Sequence, residues 1–224
     1  MSRPGKNLAF RGVSFRPRSA HFGIPLWGLI ALTAGVICLG GFAVHGFDEN
    51  GLRLGNQLAW RFACLVFFIA IIAGPVTRLL PWEKFRRADG EGPQLIWGFC
   101  ASFGVFLASL IIPNTLTPPP LDHQGLSFSM ALFAIFGAAL TMMVAYVASP
   151  QRGLGERSRR VILGAGLSYY WLAYTLTGFS RLSGPHRPDA FYGWSVMLML
   201  VALLLRFADN FIAKKTIRDD RSPQ

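Results

Sequence analysis

Residues 57–87 read QLAWRFACLVFFIAIIAGPVTRLLPWEKFRR. Between Arg61 and Arg78 this stretch carries no charge at all. A helix rises about 1.5 Å per residue and the hydrocarbon core of a bilayer is roughly 30 Å thick, so about 20 apolar residues span it. The stretch meets that length. It carries an arginine near each end, a Gly74-Pro75 break before the second arginine, and a basic cluster beyond. It reads as a transmembrane helix, and the rest of the chain repeats its pattern.

The composition agrees. Of 224 residues, 52% are hydrophobic and 15% charged, where a soluble domain carries about 25% charged residues. The charges are segregated into short loops and tails, leaving apolar windows at 24–45, 57–82, 94–112, 127–148, 161–179 and 190–212. The expected fold is therefore all-α: an integral membrane bundle of six transmembrane helices, flanked by basic tails at 1–23 and 213–224. Pro75 removes one backbone donor near the end of the second span, a position where a kink is tolerated. The first span has Ala31 and Gly35 at small-xxx-small spacing and Gly40-Gly41 beyond, which lets a neighbouring helix approach closely.

Charge placement sets the expected topology. The basic residues are Arg3, Lys6, Arg11, Arg16 and Arg18 in the first tail, and Lys214, Lys215, Arg218 and Arg221 in the last. The second loop holds Arg78, Lys84, Arg86 and Arg87, and the fourth Arg152, Arg157, Arg159 and Arg160. The first, third and fifth loops hold only Arg53, no Lys or Arg, and Arg181 with Arg187. The positive-inside rule then puts both termini in the cytoplasm. The net charge of +11 follows from these retained loops facing anionic lipid. No soluble stretch is long enough to form a nucleic-acid surface, so nucleic acid is not an expected partner; the bilayer and other membrane subunits are. The N-terminus reads as a tail leading into a retained helix, since the apolar run after its basic region is too long for a signal peptide.

Motifs for chemistry are sparse. Phosphate-binding loops, GxSxG, HExxH and CxxCH are all missing, and no residue is assigned a catalytic role. Cys38, Cys64 and Cys100 lie in three different apolar runs without CxxC spacing, which fits small packing residues. No span has a central Asp, Glu, Lys or His, which weakens a transporter reading. Three candidate groups stand out. His45, His123 and His186 all fall on the outer side, with Asp48, Glu49, Asp122 and Asp189, and such imidazoles and carboxylates would hold a metal ion if they converged. Tyr170 and Tyr174, at i and i+4 in an aromatic cluster with Tyr169 and Trp171, share a helix face and would pack or line a cofactor. Arg61, one turn inside the outer end of the second span, would hold an anionic group or snorkel to the interface. Arg206 and Asp209, at i and i+3, are placed to pair with each other.

The run Leu54-Gly55, Ala59-Trp60-Arg61-Phe62, Gly74-Pro75-Val76-Thr77-Arg78-Leu79-Leu80 and Arg86-Arg87 resembles the ferric-reductase-like transmembrane domain family. Within it the run is most similar to the haem-binding membrane subunits of methionine sulfoxide reductase systems. Phe191-Tyr192-Gly193 through Leu203-Leu204-Leu205-Arg206-Phe207 is similar to that family's last helix. About half of the chain is covered. The resemblance implies six helices in a bacterial inner membrane and electron transfer through haem b, held by histidines on the third and fifth helices. Here neither helix contains a histidine. The expected function is thus that of a haem-less relative, an accessory, assembly or structural subunit of an inner-membrane complex. The alternative is transmembrane electron transfer through haem b with other ligands, such as His45, His123 or His186.

Overall fold

The computed structural model describes residues 24–46, 49–79, 92–116, 128–148, 155–183 and 189–219. They form six α-helices and, among the described residues, no strand. The helices are α1 (Leu26–His45), α2 (Glu49–Leu79), α3 (Gly92–Leu116), α4 (Phe128–Ala148), α5 (Glu156–Leu182) and α6 (Ala190–Asp219). Four contain segments long and apolar enough to cross a membrane: Leu26–Val44, Asn50–Thr77, Gly92–Ile111 and Ala190–Asp209. In α4 the residues whose side chains are described, from Ala134 to Ala148, also form an apolar stretch.

Several helices exceed the apolar windows. α2 starts at Glu49 rather than 57, inside the expected first loop. Its first turns are held by contact with α1, where Gly41 and Gly55 cross so closely that a Cβ on Gly41 would lie 2.6 Å from Gly55 Cα. Only residues without a side chain allow that approach. α5 starts at Glu156, not 161, after Gly155, with an acidic residue in its first turn as a helix start favours. α6 runs on to Asp219 through residues expected to form a basic tail. α3 continues past Pro113 to Leu116. Polar residues at helix ends do not extend an apolar window, yet they extend a helix.

The helices alternate in direction. α2, α3, α4, α5 and α6 pack in that order, and α6 returns to α2, so five helices close a ring. α1 docks outside it, in the groove between α2 and α3. At one end, here the near end, lie the starts of α1, α3 and α5. There Gln94 Oε1 accepts a hydrogen bond from Leu26 N at 3.2 Å, and Trp27 packs on Trp97 with ring centroids 6.4 Å apart. One turn deeper, Ile30 fills the space left by Gly98.

Large apolar side chains also cover the outside of the bundle. Met142 is 72% exposed and Phe207 65% exposed. Helices that are apolar on the inner and outer faces alike belong in lipid, so this all-helical fold is that of a membrane bundle.

Candidate functional site

Two features of the ring carry polar chemistry: the aromatic centre and a cavity at the near end. The centre is built by helical spacing. Trp60 and Phe67 on α2, Phe99, Phe103 and Phe106 on α3, and Tyr170 and Tyr174 on α5 recur at intervals of three, four or seven residues, so each set shares one face. Ring centroids of Phe99 and Phe103 lie 4.9 and 5.1 Å from that of Tyr170, both in edge-on geometry. Phe67 reaches Phe99 at 4.8 Å and Tyr174 at 5.3 Å, and Trp60 reaches Tyr174 at 4.4 Å. Phe67, Phe99, Phe103, Tyr170 and Met199 are all essentially inaccessible. Edge-on and tilted pairs favour this closeness beyond the area they bury.

The two tyrosines differ in their polar ends. Tyr170 Oη donates to Gly137 O at 3.0 Å and lies 2.5 Å from Thr141 Oγ1. Thr141 Oγ1 also lies 2.6 Å from Gly137 O, so two hydroxyl protons serve three close oxygen pairs between α4 and α5. Tyr174 Oη is buried and has no hydrogen-bond partner among the described residues. Trp171, one position after Tyr170, faces another neighbour: its Nε1 donates to Met199 O on α6 at 2.8 Å. The structure thus brings Tyr170 and Tyr174 together, as their spacing implies, in a packed centre.

A haem between the third and fifth helices would need the volume these rings fill. Phe99, Phe103, Tyr170 and Tyr174 close that space by direct contact, and no imidazole faces it among the described residues. The residues there do not fit the group that the family resemblance implies.

Arg61 lies elsewhere, at the far end of the ring. It forms an ion pair with Asp189, the residue preceding α6, and its guanidinium sits 5.1 Å from the Phe191 ring centroid. Asp189 Oδ1 also accepts from Phe191 N at 3.0 Å, capping α6. The anionic group that Arg61 holds is therefore supplied by its own chain. Asp189, read from sequence as one of the outer carboxylates, is committed to this clasp. His45 ends α1, and its side chain lies outside the described residues, as do His123, His186, Asp48 and Asp122. Among the described residues no group of His, Cys, Asp or Glu is placed to hold a metal ion. Cys38, Cys64 and Cys100 are free and buried in the packing.

The cavity, of about 520 Å³, opens at the near end and is lined by all five ring helices. Arg159, Arg206 and Asp209 lie on its wall, with apolar residues of α2 and α5. The sequence pattern puts Arg159 in a loop. Glu156 after Gly155 was the signal for an earlier helix start, which turns Arg159 towards α4, where it donates to Ala148 O at 3.2 Å. No protein-family model matches the chain, and no curated protein or solved structure matches it either.

Proposed function

We propose that this chain is a haem-free, six-span relative of the ferric-reductase-like fold. In this reading it lies in a bacterial inner membrane with both termini in the cytoplasm and acts as an accessory, assembly or structural subunit of a larger complex. One observation carries the reading: the faces of α3 and α5 that would flank a cofactor are sealed by Phe99, Phe103, Tyr170 and Tyr174. A centre closed by aromatic packing stabilises a bundle and offers no path for a substrate or proton. The basic residues between α2 and α3 and between α4 and α5 in the sequence support the orientation through the positive-inside rule. Apolar side chains all around the ring, with open glycines at Gly35 and Gly40 on α1, support a role in helix–helix contact within the bilayer.

The test is an absorption spectrum of the protein purified in neutral detergent, together with its migration from gently solubilised membranes under native conditions. The expected result is a colourless protein that migrates as part of a larger membrane assembly. A Soret band that disappears when His45, His123 or His186 is replaced would overturn the proposal.

A further inference from the structure

The near-end cavity has two chemical halves. Along α5, Arg159, Leu163 and Leu167 follow one another at four-residue intervals, so the wall passes from charged to apolar over two turns. Ile71 on α2 meets the same deep part, and Arg206 and Asp209 on α6 stand with Arg159 nearer the opening. Two guanidiniums against one carboxylate leave the described wall with one net positive charge. Arg159 spends one of its five N–H donors on Ala148 O. Arg206 and Asp209 each have an interaction of their own, and a guanidinium so engaged still has donors to offer. Gly92 and Pro93 bring the positive end of α3 to the same wall.

One backbone carbonyl among the lining residues lacks its usual helical donor. Pro75 lies inside α2 and has no N–H to give to the carbonyl of Ile71. Both residues line the cavity. Helix carbonyls point towards the C-terminus, the end of α2 at which the cavity opens. A ligand with an anionic centre, a hydroxyl donor and an apolar tail would satisfy all of these groups.

We infer that this cavity is a binding site for an anionic phospholipid, with the phosphate held by Arg159 and Arg206 and the first methylenes of the tails among Ile71, Leu163 and Leu167. The cavity volume lies within the range of small-ligand sites. The site sits at the helix ends, where headgroups would lie around a spanning bundle, and basic pockets between membrane helices select such headgroups. Guanidinium groups suit phosphate because their donors match its oxygens in pairs. The inference does not depend on the scaffold proposal, because a coloured protein would leave the cavity and its arginines unchanged.

The experiment uses the full chain in neutral detergent, with short-chain phosphatidylglycerol as the probe and native mass spectrometry as the readout. The expected result is one saturable equivalent bound. Arg159→Gln and Arg206→Gln should each weaken it at least about tenfold, as loss of a charge-assisted contact implies. Arg53→Gln and Arg181→Gln, at the far end, should leave it unchanged. Ala73→Phe keeps both arginines and fills the cavity, so it should weaken binding too, which guards against an arginine variant that fails to fold. Phosphatidylcholine with the same tails should bind at least about tenfold more weakly. Equal binding of phosphatidylcholine, or unchanged binding in the folded near-end variants, would overturn the inference. Displacement of the lipid by inorganic phosphate at equal concentration would also overturn it, and would assign the site to a soluble anion.

Discussion

Tyr170 and Tyr174 provide a controlled comparison, because they occupy the same face of α5 one turn apart and differ at Oη. Replacing either with Phe removes one oxygen and keeps the ring. The contacts to Phe67, Phe99, Phe103 and Trp60 are then retained, and the hydroxyl alone is tested. Tyr170→Phe loses the bond to Gly137 O and the contact with Thr141. Gly137 O keeps its bond from Thr141, so no acceptor is stranded. Hydrogen bonds between membrane helices average about 0.6 kcal/mol and reach about 1.7 kcal/mol, which bounds the loss. Tyr174→Phe removes a buried hydroxyl without a partner among the described residues. Burying such a group costs about 1–3 kcal/mol, so its removal should be neutral or stabilising. The two variants should then differ by about 2 kcal/mol, roughly thirtyfold in the unfolding equilibrium. Reversible unfolding in mixed micelles, followed by tryptophan fluorescence, measures this directly. If Tyr174→Phe proved as destabilising as Tyr170→Phe, Oη would have a partner and the reasoning about the centre would fail.

Other consequences can be measured with the same assay or with simple labelling. Gly41→Ala should cost at least about 2 kcal/mol, because its Cβ meets the backbone of Gly55 and helices cannot part locally without losing contact; Gly40→Ala, where nothing lies within 4 Å, should be neutral or slightly stabilising. Asp189→Ala removes both the cap on α6 and the pair with Arg61 and should cost about 1–2 kcal/mol, whereas Asp189→Asn keeps the cap and should cost about 0.5 kcal/mol. In a double-mutant cycle, Arg61→Ala should add little to Asp189→Asn. Cys64 and Cys100 should resist a water-soluble maleimide in the folded protein and react after denaturation in sodium dodecyl sulfate, since both are buried inside the apolar core.

The helices could be read from the sequence because lipid demands long uninterrupted apolar runs, and few alternatives meet that demand. The pairing of Tyr170 with Tyr174 was legible for a similar reason, since i and i+4 always share a helix face. What these residues face was not legible. Phe99 and Phe103 oppose Tyr170 only because five helices close in a particular order, and no local spacing encodes that order. The partner of Arg61 lies 128 positions away, so the snorkelling and anion-binding readings looked alike in sequence. The i, i+3 spacing pairs Arg206 with Asp209 on one helix; the structure adds that they share a cavity wall with Arg159 from another. Helix ends were the least legible, because polar turns such as Glu49–Asn56 are held by tertiary contact with α1.

Ring closure has a consequence for how the protein is made. The seam between α2 and α6 joins an early helix to the last one, through Arg61 and Asp189, and α6 also supplies the Met199 carbonyl that Trp171 needs. Until α6 leaves the ribosome and enters the bilayer, the inner faces of α2 and α5 have only lipid beside that gap, and the Trp171 indole has no acceptor there. Packing of α6 against α2 and α5 is therefore the step that closes the ring. A chain lacking residues from 189 onward would leave the ring open between α2 and α5.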